Sequence, residues 1–359
     1  MSANKESLKG YHVIFLVQSI MFGTGVLSLP ERLSSLGYSQ ALIPILFGVI
    51  ASISLWPMIW ICSKYHAKNL FEINEEILGK SLGKCINAFI VIQLILLATA
   101  KVSNYVQLIQ STALQEQTTS IPLILVLLLV LYIVNGGIKN VARFCIMAFF
   151  ITIPMVYFLK WSINKGDISH VFPLFNHSWN DFFVAFDQGF NTVFGYEVIL
   201  IFFPYIINKQ KAFKHALIGI WISVSLFFLT TLVSVMYFSE WQLSNVQYSV
   251  LHLFKAGGFS FVERIDIFGI TLWVFLVLSS VSGYIWASMK GVNSIISKRK
   301  SSHVYIIATT IFVILTLPLS HENLERAFIV SYRIGYGLLL WPIILIALHF
   351  IKKSRWNHE

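Results

Sequence analysis

Long uncharged apolar stretches alternate with short polar connections along the whole chain. With the absence of charge as the guide, and Gly, Pro and Lys/Arg as punctuation, the pattern predicts about ten membrane spans. They cover 11–35, 40–63, 84–110, 121–136, 141–162, 182–207, 213–238, 264–289, 303–319 and 330–351. The fourth is short for a span, and the third is long enough to tilt or to run past the bilayer. No connection holds enough polar sequence for a soluble domain, so residues 1–359 read as one all-α polytopic membrane domain.

Two of these spans are interrupted. Span 1 contains FGTGVLSLP at 22–30, and span 6 contains DQGFNTVFGYE at 187–197. Glycine costs roughly 1 kcal/mol against alanine inside a helix, and an unpaired backbone group in hydrocarbon costs several kcal/mol. Each glycine could serve only close helix packing. Interruptions five spans apart, however, are the pattern of an inverted repeat, in which an odd helix count flips the second half in the membrane. The repeats then cover about 11–162 and 182–351, with helices 1 and 6 broken.

Broken helices constrain what they can hold. After Gly25, the N–H groups of Val26 and Leu27 and a positive dipole end suit a carboxylate. The carbonyl end near Phe190 and Asn191 suits an ammonium or a hydroxyl. A small zwitterion such as an amino acid satisfies both ends, and a sugar is the less selective fit. Candidate ligand-binding residues at the breaks are Phe22, Gly23, Thr24, Gly25 and Val26, with Asn191, Thr192, Phe194, Gly195, Tyr196 and Glu197.

Composition agrees with a membrane protein: 57% of residues are hydrophobic, 12% are charged, and the mean hydropathy is +0.74. The net charge of +10 would fit a polyanionic partner, but the placement of the cations argues for topology. With the N-terminus cytoplasmic, 18 Lys and Arg fall in inner loops and termini and seven outside, among them Arg32. This is the positive-inside bias, with both termini cytoplasmic and no nucleic-acid partner. The apolar segment nearest the N-terminus is too long for a cleaved signal and is expected to stay as a helix.

Cys62, Cys85 and Cys145 suggest neither a disulfide framework nor a metal cluster. No phosphate loop, nucleophile elbow or metal motif stands in a plausible context, so catalysis, cofactor and metal are not expected.

Lys101 in span 3 is the most unusual interior residue. A buried ammonium costs about 2.5–3.5 kcal/mol on insertion scales, so it should face a cavity or an acid, with Glu197 the acid to name. Snorkelling to an interface is the alternative. At depth, Lys101 could stand in the place of a coupling cation. Asn104 and Tyr105 share its helical face, and Trp273 could close over a ligand. Asp187 reads as a vestibule or capping residue, and Glu263, Arg264 and Asp266 as an ion-pair cluster. Ser279, Ser280 and Ser282 either border a cation or allow close helix approach, and HENLER at 321–326 reads as a solvated loop.

Gly23, Thr24, Gly25, Val26, Leu27 and Pro30 match the first-helix signature of the amino acid/polyamine/organocation permease superfamily, which the chain resembles. Its length, span number and the stretch ERIDIFGITLWVF at 263–275 resemble more narrowly the B subunits of bacterial spore germinant receptors. The resemblance implies a five-plus-five inverted repeat of the LeuT/APC type in the spore inner membrane. It also implies a small nutrient ligand, an amino acid before a sugar, and receptor A and C subunits as partners. A proton-coupled amino-acid permease, with Lys101 or Glu197 as the protonated group, is the alternative.

Overall fold

The computed structural model describes residues 6–65, 68–112, 119–172, 177–257, 265–296, 300–317 and 320–356. Helices stand at all ten predicted positions. Six helical segments are long and apolar enough to cross a membrane unaided: Ser34–Lys64, Lys80–Thr112, Ile138–Lys165, Lys209–Tyr237, Ile267–Ile296 and Glu322–Lys352. Shorter apolar helices run over Ser120–Asn135, Tyr196–Tyr205 and His303–Thr316. Ser120–Asn135 has 16 residues, about 24 Å at 1.5 Å each, and so falls short of a hydrocarbon core of about 30 Å. The chain is a multi-pass membrane protein.

Both predicted interruptions are present. Span 1 consists of Gly10–Met21 and Thr24–Arg32, which meet at 47°. Phe22 and Gly23 form the break, both with extended backbone. Helical turns resume at Thr24, so Gly25 is already inside the second segment. The free N–H groups therefore begin at Thr24 and Gly25, one or two residues before the expected Val26 and Leu27. In span 6, Trp179–Gly189 gives way to a tight turn of helix over Phe190–Val193. The chain then extends at Phe194, and Gly195 takes φ 139° before the helix resumes at Tyr196. The carbonyl expected to be free at Asn191 accepts the Phe194 N–H at 3.2 Å.

Of the six long spans, span 8 is the most enclosed, with 67% of its apolar window buried, whereas span 10 has 28%. Span 8 lies along spans 3, 4 and 5, and span 1 packs along spans 5 and 7. The two breaks therefore sit beside the central helix of the bundle. Span 10 starts at His321, so HENLER forms the first turns of that helix and not a loop, with Arg326 paired to Glu322 at 2.6 Å. Glu263, Arg264 and the Asp266 side chain lie outside the described residues.

The face that carries both chain ends is closely tied. Leu8 pairs with the end of span 6, donating its N–H to Tyr205 (2.8 Å) and accepting from Ile207 (3.0 Å). Lys290 of span 8 lies 3.6 Å from Glu6 and over the rings of Tyr205 and Trp286. An additional short helix, Leu70–Leu78, is capped by Asn69 and Glu72 and docks here against span 3.

Candidate functional site

Between the breaks lies a cavity of about 20 Å³, lined on span 1 by Met21, Thr24, Gly25 and Arg32. Span 3 contributes Leu97, Lys101 and Asn104, span 6 Asn191, Thr192 and Phe194, span 8 Tyr284, and span 10 Tyr332. A water needs about 10–15 Å³ of such space, so this cavity holds about one. A polar vestibule of about 410 Å³ adjoins it on the face opposite the chain ends. Thr24, Arg32, Asn104, Asn191 and Tyr332 line both spaces. Arg32 Nη1 donates to Asn191 Oδ1 at 2.7 Å, so the partition joins one break to the other.

Inside, the polar groups are only partly matched. The Lys101 ammonium turns inward to the break of span 1 and donates to the Ile20 carbonyl at 3.3 Å, its one acceptor among the described residues. It also sits 5.5 Å from the Tyr284 ring centroid. Thr192 Oγ1 is buried with no partner among the described residues. Buried hydroxyls are ordinarily satisfied, so this one is open to a ligand or a water.

Glu197 stands elsewhere. Its Oε2 accepts the Gly195 N–H at 2.6 Å and its Oε1 the Tyr284 hydroxyl at 2.9 Å. No ion pair joins it to Lys101 among the described residues; Tyr284 contacts both, its hydroxyl donating to Glu197 and its ring centroid lying 5.5 Å from the Lys101 ammonium. One oxygen closes the break within span 6, at Gly195, and the other ties that break to Tyr284 of span 8. Gly195 itself lies against the Ile20–Met21 backbone, where an added Cβ would fall 2.5 Å from Met21 N.

The other expected residues divide by position. Gly23 flanks Lys101, and its carbonyl accepts from Trp273 Nε1 at 3.3 Å. Phe22 stacks on Phe227 and packs near Trp273. Val26 is buried in the core. The Tyr105 hydroxyl points to the Ile270 carbonyl, and that of Tyr196 shares a 2.6 Å bond with Ser54. None of Phe22, Gly23, Val26, Tyr105, Gly195, Tyr196, Glu197 and Trp273 is among the residues that line the cavity. Asp187 lies in the vestibule, paired with Arg333 at 2.8 Å.

Arg32, Tyr284 and Tyr332 line the cavity without having been expected there. Two had legible signals. Arg32 follows Gly25 by seven residues, two helical turns along the same face. Tyr284 follows Trp273 and Ser280 by eleven and four, again one face. Span 10 carries no break or buried charge to single out Tyr332.

The fold has solved counterparts. A nucleobase-cation-symport-1 family transporter, Mhp1, in a closed conformation with bromovinylhydantoin bound, superimposes with a TM-score of 0.68 at 11% identity. That match covers 97% of this chain and 79% of the transporter. A Na⁺-coupled sialic acid symporter in an outward-open state gives 0.60 at 14% identity, over 98% and 75%. At such identities the likeness shows the fold, a transporter architecture built on broken helices. In sequence, the chain is 24% identical over 315 residues to the spore germination protein GerQB of Bacillus cereus, covering 87% of each. It is 21% identical over 364 residues to spore germination protein B2 of Bacillus subtilis, covering 99% of this chain and 98% of the relative. Residues 7–324 match the spore permease family, described as spore germination proteins. A broken-helix membrane fold with this sequence signature is therefore no enzyme, and the chain belongs to the spore germination protein family of permease-like membrane proteins.

Proposed function

We propose that this chain is the B-type subunit of a spore germinant receptor. In this reading it binds a small polar nutrient, an amino acid fitting best, in the cavity between the breaks of spans 1 and 6. One observation carries the reading: an ammonium with spare donors and an unpartnered hydroxyl line the same cavity between the helix breaks. The N-terminal end at Thr24 and Gly25 adds donors suited to a carboxylate.

Size adds a mechanism. A cavity for one water does not admit even a small amino acid, so occupancy requires the partition at Arg32 and Asn191 to part and the helical halves to move. Ligand binding then favours the opened or re-closed arrangement by its differential affinity. Receptor A and C subunits would read that shift at the spore inner membrane. With the termini cytoplasmic, the vestibule opens to the outside, where nutrient arrives.

The test is a germination dose-response on spores carrying Gly25→Ala or Thr192→Val, with receptor abundance checked, across amino acids and sugars. Gly25→Ala would put a methyl group 3.3 Å from Thr192, and Thr192→Val removes the open hydroxyl at nearly constant volume. A changed half-maximal concentration or nutrient preference at normal abundance supports the cavity as the site. Unchanged responses in both would place nutrient recognition elsewhere. Proton-dependent uptake by the protein alone in vesicles would instead favour the permease reading.

A further inference from the structure

The carbonyl end of the first helical segment of span 1 lies in the middle of the bundle. Its last carbonyls have no partners further along the helix and carry the negative end of the helix dipole. In water such groups are solvated; in a protein interior they need donors or a cation. Here the Ile20 carbonyl takes two donors from other spans, Ser280 Oγ at 2.7 Å and Lys101 Nζ at 3.3 Å. The Gly23 carbonyl takes Trp273 Nε1. The ammonium fills the space beside Gly23 so closely that a Cβ there would lie 2.9 Å from Nζ. Two of its three N–H donors have no acceptor among the described residues.

We propose that Lys101 is a built-in cation: its ammonium occupies a monovalent-cation position at the break of span 1, so the protein holds that break without a free metal ion. The side chain reaches the position from span 3 to lie against Gly23 and the Ile20 carbonyl, and that carbonyl also accepts from Ser280 of span 8. Charge, not volume, is then what the position requires. Lys101→Ala, which removes four side-chain atoms, leaves a vacancy the size of propylammonium among unpaired oxygens. Propylammonium supplies the missing atoms and charge, and Na⁺ the charge alone.

This deepens the reading above, but its test uses no nutrient, so the two can fail separately. The full-length protein in lipid nanodiscs is melted at constant ionic strength in sodium, propylammonium or choline chloride. Wild-type protein is expected to melt at the same temperature in all three. Lys101→Ala is expected to melt lower in choline and to regain at least about 3 °C in propylammonium or sodium. Lys101→Met, which keeps the volume and loses the charge, is expected to accumulate poorly or melt below wild type. A wild-type melting temperature that rises specifically with sodium overturns the proposal, and this arm needs no variant to fold. So does a Lys101→Met protein as abundant and as stable as wild type, or a Lys101→Ala protein indifferent to the cation.

Discussion

Arg32 and Asn191 are 159 positions apart in the chain, yet a 2.7 Å hydrogen bond joins them across the two helix breaks and separates cavity from vestibule. The acceptor is a neutral amide, so the partition is held by one charged partner. Asn191→Asp makes it an ion pair, and a fully charge-assisted bond adds about 1–1.5 kcal/mol. If the partition must part for nutrient to enter, the half-maximal germinant concentration rises about five- to tenfold. A leftward shift in the dose-response at equal receptor abundance would show that the bond does not oppose entry.

Gly195 makes the closest approach between the breaks. It combines φ 139° with a backbone contact that no side chain can share. Gly195→Ala is expected to cost more than about 2 kcal/mol and to lower membrane abundance sharply. Gly337, with nothing within 4 Å of an added Cβ, is the matched control, and Gly337→Ala should accumulate normally.

Both Glu197 oxygens accept hydrogen bonds, from the Gly195 N–H and the Tyr284 hydroxyl. Glu197→Gln replaces one acceptor with an NH₂ that faces a donor, at a cost of about 1–3 kcal/mol. The melting temperature should fall accordingly. In a Tyr284→Phe background, where one donor is gone, the same substitution should cost less than it does alone. Additive losses would mean that the Glu197–Tyr284 bond contributes nothing to holding span 6 on span 8.

On the face of the chain ends, Trp341 donates to Asn74, Asn74 to Asn87, and Asn87 to the Phe71 carbonyl, at 3.0, 2.8 and 2.9 Å. This buried network fastens the helix Leu70–Leu78 to spans 3 and 10. Asn87→Leu strands the Asn74 amide and the Phe71 carbonyl, at about 1–3 kcal/mol. Amide hydrogen exchange over 70–78 should speed up, while exchange around the breaks stays as in wild type.

The sequence by itself determined the helices, the two breaks and the family signature. Hydrocarbon forces every spanning backbone group into internal hydrogen bonds, so apolar length and glycine interruption are legible one segment at a time. Phe22–Gly23 and Phe194–Gly195 broke inside the two glycine-bearing stretches. Two ends differ in register: the second segment of span 1 resumes at Thr24, and span 6 keeps helical turns to Val193, past the expected end near Phe190 and Asn191, because helix ends depend on the packing around them. HENLER read as a loop because its charges hide a helix that extends beyond the membrane. What only the tertiary structure decided is which side chains meet. Lys101 finds the Ile20 carbonyl 81 positions away, Glu197 finds Tyr284 87 positions away, and Arg32 becomes the partition and not a loop cation. Those encounters depend on how spans 1, 3, 6 and 8 rotate about their axes, and that rotation is set by the fit of all their faces together, which no single stretch encodes.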